Sequence, residues 1–117
     1  AEQWVGKELF QETYGFVCRQ LLMRECQVVA CSTVFIDDAV FPGSLKQYKI
    51  FNSEISAIAV KYHCMFVDLY SPLEKGVKES GWEAYYNYDH FHPKEGGYKL
   101  ISDILAQQIQ HVSISRS

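Results

Sequence analysis

The sequence predicts an α/β domain built on parallel strands. Segments with helical spacing of apolar residues alternate with short, continuously apolar segments rich in branched side chains. A continuous apolar run, unlike an alternating one, marks a strand covered on both faces. The order helix, strand, helix, strand, helix then calls for right-handed crossovers between strands that run the same way.

Each element has its own warrant. From Glu8 to Arg24 the residues Phe10, Tyr14, Val17, Cys18, Leu21 and Leu22 recur at intervals of three and four, which gives a helix with one buried face. Gln27 to Cys31, with Val34 and Phe35 beyond, reads as the first strand. A loop through Pro42 and Gly43 leads to Ser44, a suitable cap for a helix from Leu45 to Tyr62 whose stripe is Tyr48, Phe51, Ile55, Ile58 and Tyr62. Met65 to Tyr70 is the second strand. Pro72 starts a short helix that ends near Gly76, and Ser80 to Tyr88 is an aromatic loop without periodicity. The last helix runs from Pro93 to about His111, with Tyr98, Ile101, Leu105, Ile109 and Val112 inward.

Composition bounds the function. A chain of 117 residues, 48% hydrophobic and 21% charged with a net charge of -3, is one folded domain rather than a disordered tail. Lys and Arg are scattered from Lys7 to Arg116, so no footprint for nucleic acid or an anionic membrane surface is present. No apolar run reaches the roughly 20 residues of a membrane span, and Ala1-Glu2-Gln3-Trp4 lacks the basic and apolar stretches of a signal peptide. Cys18, Cys26, Cys31 and Cys64 form no Cys-x-x-Cys pair; they read as reduced thiols and point to the cytoplasm, with a Cys26–Cys64 disulfide open if their strands are neighbours.

The chemistry concentrates near the C-terminus. Asp89-His90-Phe91-His92-Pro93-Lys94-Glu95-Gly96-Gly97-Tyr98 places an acid three residues before a histidine, with a proline and a helix at once behind it. A carboxylate bonded to one ring nitrogen fixes the imidazole tautomer, and the other nitrogen can then take a proton from a hydroxyl near pH 7. His92 is the expected base and Asp89 its orienter.

Those residues resemble the last block of the SGNH (GDSL-type) hydrolases, esterases and lipases with Asp-x-x-His ahead of the final helix. Tyr48-x-x-x-Asn52-x-x-Ile55-x-x-Ile58-Ala59 and Phe66-Val67-Asp68-Leu69-Tyr70 are similar to the helix and strand that precede that block, so the likeness covers about Gln11 to Ile109. It implies a three-layer α/β/α, flavodoxin-like parallel sheet, incomplete here, with residues 1–117 forming the C-terminal part of one such domain. It also implies an acyl-enzyme route on an ester substrate (a lipid, an acetylated sugar or a small ester), with no metal and no organic cofactor. The family's Gly-Asp-Ser and Gly-x-Asn-Asp blocks, which supply the nucleophile and oxyanion donors, do not occur in this sequence. On that reading the chain alone is inactive. The alternative is a catalytically inactive, self-associating remnant or binding module of the same fold.

Other residues carry competing readings. His90 and His92 form a His-x-His pair that could hold a metal with Asp89, although the Pro93-Lys94-Glu95-Gly96-Gly97-Tyr98 continuation fits the hydrolase block better, and His90 is expected to face solvent. Ser32 and Thr33 stand where a strand-end nucleophile would lie, but without the glycine-flanked turn that exposes one they read as strand-ending side chains bonded to backbone. Asn52 is either the family's recurring asparagine or a structural bond, and Asp68 is expected to bond loop backbone. His63 and His111 are expected to serve helix ends. Trp82, Tyr85, Tyr86, Tyr88 and Phe91 either line an acyl or sugar site or cover the sheet. With only two strong strands, the sheet leaves edges that invite pairing, so a partner is expected: an N-terminal half, a second copy or an exchanged element.

Overall fold

The helical stripe of the first segment folds as α1 (Lys7–Met23) and ends where Glu25 takes a left-handed φ of 60°. There the Cys26 amide reaches back to the Leu21 carbonyl and the Glu25 amide to Leu22, a helix stop made without glycine. The computed structural model describes residues 6–116, with no side-chain description for Lys7 or residues 111–116. The leader reading on Ala1 to Trp4, the inward place of Val112 and the helix-end role of His111 fall outside what is described. The remaining elements are β1 (Val29–Cys31), α2 (Ser44–Lys61), β2 (Met65–Val67), α3 (Tyr70–Ser80), a 3-10 turn (Trp82–Ala84) and α4 (Glu95–Arg116).

The strands pair in parallel, Val29 opposite Met65, Ala30 opposite Phe66 and Cys31 opposite Val67. They are shorter than the apolar runs that announce them. Past Cys31 the Ser32 amide still bonds Val67, but the Ser32 hydroxyl then accepts the Leu69 and Tyr70 amides at 2.7 and 3.0 Å. Asp68 accepts the Ser71 amide at 3.1 Å, a backbone bond as expected but to the first turn of α3 rather than to a loop. These side-chain acceptors bend Asp68 to Tyr70 out of the ladder into the start of α3, so the second strand stops at Val67 and not at Tyr70. Pro72 therefore falls in the first turn of α3 rather than opening it, where its missing N–H costs nothing. Gly76 does not end that helix. The Tyr85 ring lies over it, and a Cβ there would stand 2.8 Å from Cε2.

Two further boundaries move for local reasons. Gly43 caps α2, the Leu45 amide goes to Asp38 at 3.0 Å, and Ser44 is the buried first residue of the helix rather than its cap. His63 closes α2 with its backbone, not its ring: at φ 56° its amide bonds Val60, while the Cys64 amide bonds Ala59. The Cys64 thiol lies against that of Cys18, and all four cysteines are thiols in this structure.

Ala30, Ile55 and Ala59 form a core under α1 and α2, with Phe10, Tyr14, Cys64 and Phe66 packed against it. Val29 and Met65 alternate to the other face of the sheet, where Ile109 of α4 lines the same hollow. A second core of Leu73, Val77 and Tyr86 sits under Val34, Phe35, Trp82, Leu100 and Ile101. The inward face of α4 is thus Leu100 and Ile101, whereas Tyr98 and Ile109, expected inside, are more than half exposed. No helix among the described residues is long and apolar enough to cross a membrane.

Each strand has one neighbour among the described residues. The molecule is a slab of 40 × 37 × 17 Å whose radius of gyration, 15.4 Å, exceeds the roughly 13 Å of a compact chain of this length. The α1 stripe is correspondingly half covered: Cys18 is buried, but Val17 and Leu21 are exposed. Leu9, Val17, Leu21, Val28 and Val29 frame an apolar hollow of about 500 Å³ along the free edge of β1.

Two phenols sit in the second core region. Tyr86 donates to the Phe35 carbonyl, and the Tyr70 hydroxyl is buried without a hydrogen-bond partner among the described residues. Burial raises both above the ordinary 10.0; Tyr70, also facing Glu74 and Asp38, is pushed up to about 12. A raised folded value means that stability is intact below pH 10 and lost as pH climbs through about 12. Tyrosinate absorbance followed against pH is expected to show a late class of phenols whose ionisation coincides with loss of helix by circular dichroism. Full ionisation before any unfolding would contradict the burial.

Candidate active site

The Asp-x-x-His segment is carried on a backbone hairpin. Tyr86 and Pro93 form an antiparallel bridge, the Asn87 amide bonds the His92 carbonyl at 2.9 Å, and the Lys94 amide bonds the Tyr85 carbonyl at 2.9 Å. The Asn87 side chain adds bonds to the carbonyls of His92 and Pro93. Because Pro93 and Lys94 belong to this returning strand, α4 starts at Glu95 and not at Pro93.

Within the hairpin Asp89 does two jobs. One carboxylate oxygen accepts the Phe91 and His92 amides, each at 3.0 Å; the other meets Nδ1 of His92 at 2.7 Å. The His92 bond, then those amides, hold the Asp89 carboxyl down at about 2, below the ordinary 3.8. An ionised carboxylate only accepts, so Nδ1 of neutral His92 carries the proton and Nε2 is left as the acceptor. The His92 side chain is 65% exposed, and Nε2 has no partner among the described residues. The sequence placed this pair, and the structure brings it together.

A second histidine–carboxylate pair lies beside it. His90, expected to face solvent, instead sets Nδ1 2.8 Å from Oδ2 of Asp37 and stacks flat on Trp82, centroids 4.6 Å apart at 5°. Trp82 in turn stacks on Phe35 at 5.1 Å. Asp37 was not singled out by sequence reasoning. Its only signal is an Asp-Asp pair in the loop after β1, a pattern equally suited to turn and cap duty, which Asp38 does perform. The two Nδ1 atoms are engaged by different carboxylates, and no group of three or more His, Cys, Asp or Glu suited to a metal occurs among the described residues.

The other candidates take structural places. The Ser32 hydroxyl is buried and committed to backbone, accepting two amides and donating to the Thr33 carbonyl at 2.9 Å. Asn52 accepts the Thr33 amide at 2.8 Å and fixes the start of the loop after β1. Of the aromatic stretch, Tyr86 is buried, Tyr85 covers Gly76 and Trp82 holds His90; Tyr88 is 98% exposed. Phe91 stands edge-on to His92 at 4.7 Å and near Phe41 at 5.2 Å, which makes Phe91 the apolar ring of this stretch beside His92.

A parallel pair of strands flanked by helices is a fold similar to that of an alpha/beta hydrolase. A particular example is the crystal structure of LAE5, an alpha/beta hydrolase enzyme from the metagenome of Lake Arreo, Spain. It matches with a TM-score of 0.76 at 13% identity over 90% of this chain and 48% of that one. At that identity the likeness is one of fold, and this chain spans about half the length of LAE5. No protein-family profile and no curated protein sequence matches the chain.

Proposed function

We propose that this chain supplies the acid and base of an SGNH-type ester hydrolase: His92 as general base, Asp89 as its orienter, and a serine with its oxyanion donors from residues outside this sequence. The observation that carries the reading is the 2.7 Å Asp89–His92 bond with Nε2 left open. An incoming serine hydroxyl would give its proton to Nε2 as its oxygen attacks the ester carbonyl. The imidazolium so formed, held by the Asp89 carboxylate, would return that proton to the leaving alkoxide. Water then repeats the sequence on the acyl-enzyme. In this proposal the sheet is completed into three layers by strands seated against the free edge of β1, where the apolar hollow beside α1 would be filled, and the acyl or alkoxy group lies against Phe41 and Phe91.

The test is reconstitution. Mixing the chain with a polypeptide carrying a Gly-Asp-Ser block and the preceding strands of such a fold is expected to give hydrolysis of a short-chain aryl ester that neither part shows alone. A complex that forms and stays inert would overturn the reading. The same free edge also favours the second reading, an inactive remnant that self-associates. Sedimentation showing a stable homodimer, with no activity in any mixture, would select it.

A further inference from the structure

The loop after β1 and the Asp89–His92 hairpin are joined by more bonds than packing alone requires. Phe35 stacks on Trp82 and Trp82 on His90; His90 bonds Asp37, and Asp37 is two residues beyond Phe35. The circuit is closed. The Asp37 amide also bonds the His90 carbonyl at 3.4 Å, and Tyr86 donates to the Phe35 carbonyl. At the centre of the hairpin His90 holds a left-handed φ of 55°, a conformation a non-glycine residue keeps only when its surroundings impose it.

That conformation matters because His90 sits between Asp89 and His92. With its peptide units turned this way, the Phe91 and His92 amides both point at one oxygen of Asp89, freeing the other for the ring of His92. Relaxation of His90 to an ordinary φ would swing those amides away and separate the pair. The His92 ring is 65% exposed and meets Phe91 edge-on, so the pair has little cover of its own. Its alignment has to come from beneath.

We infer that Asp37 is a positioning residue: through His90 and the Trp82–Phe35 stack it locks the hairpin in the conformation that aligns Asp89 with His92. His90 is on this account a structural pin and not a second base. One ring face is covered by Trp82, and the pair is largely enclosed, at 30% exposure for the His90 side chain and 19% for Asp37. The inference rests on the proposed role of His92 only for its consequence in catalysis; the geometric claim stands apart from it.

The test uses Asp37→Ser and Asp37→Asn. Serine can still accept the Ala39 amide that Asp37 accepts at 2.9 Å, but is too short to reach His90. Asparagine has the length to do both, donating its amide to the other tautomer of His90. In long-range proton–nitrogen spectra of the labelled chain at neutral pH, His92 is expected as the Nδ1–H tautomer in the parent and in Asp37→Asn. In Asp37→Ser it is expected to shift toward Nε2–H, while the backbone spectrum of α1 and α2 stays fixed. His90→Gly, which suits the positive φ but removes the ring, is expected to give the same shift. His92 remaining fully Nδ1–H in both Asp37→Ser and His90→Gly would overturn the inference.

In the reconstituted enzyme Asp37→Ser is expected to lower kcat by about 10- to 100-fold with KM unchanged, the signature of a misplaced rather than missing group. A tautomer shift in a complex without esterase activity would refute the function and leave the positioning claim standing. Full activity with an unshifted tautomer would do the reverse.

Discussion

His92→Ala in the reconstituted hydrolase is expected to reduce kcat by about 10⁵- to 10⁶-fold, and Asp89→Asn by about 10⁴-fold, relative to the unmodified complex. On the proposed mechanism the two losses differ because His92 would meet the reacting hydroxyl directly and Asp89 only through His92. Without the ring, the proposed acceptor of the serine proton is gone. In Asp89→Asn the ring remains, but a carboxamide can offer its NH₂ to Nδ1; the proton then moves to Nε2, where it blocks the acceptor. Stability should hardly move in His92→Ala, since the ring is 65% exposed and the hairpin is held by the His92 backbone. Asp89→Asn keeps one oxygen for the Phe91 and His92 amides. A kcat loss with an unchanged melting curve is the pattern that assigns chemistry rather than folding. Equal turnover of His92→Ala and parent would refute the assignment. The acid limit follows from the same carboxylate. Its folded value is lowered, so its contribution is present above pH 3.8 and lost as pH falls through about 2.

Sequence pattern was most informative where a physical period or a short chemical spacing was enough. The α1 and α2 stripes and the Asp89–His92 bond depend on residues near in sequence or on one helix face, and each strand announces itself by its own apolar run. It failed where partners are distant. Ser32 trims the second strand from 37 residues away by accepting the Leu69 amide, and Asp37 meets His90 across 53 residues. Neither has a local signature, because Ser and Asp in loops serve turns and caps just as well. The exposed positions Val17, Leu21 and Ile109 are a different failure. Periodicity reports which face is apolar, not what covers it, and among the described residues too little sheet is present to cover these. The same free edge that defeats the burial reading supports the proposal of a partner.

Gly97→Ala is expected to destabilise the chain by about 3 kcal/mol or more, lowering Tm by roughly 10–15 °C. The first turn of α4 rests directly on the backbone that follows the Trp82–Ala84 turn. A Cβ at Gly97 would stand 2.3 Å from the Tyr85 carbonyl oxygen and 3.0 Å from Cβ of Pro93; one at Gly96 would be 2.1 Å from the Ala84 carbonyl oxygen. Flexible side-chain tips could step aside from such contacts, but a carbonyl cannot do so freely. The Tyr85 oxygen accepts the Lys94 amide at 2.9 Å, so displacing it opens the hairpin that carries Asp89 and His92. The damage should therefore be double, a lower melting temperature together with loss of the Nδ1–H signature at His92. Gly15→Ala gives the contrast in sign. Its Cβ would meet Arg19 and Tyr62 atoms at 3.5 to 3.7 Å, ordinary contact, and alanine in a helix interior is favoured by about 0.8 kcal/mol over glycine. If Gly97→Ala melted with the parent, α4 could not be seated on the Tyr85 backbone, and the hairpin would need another support.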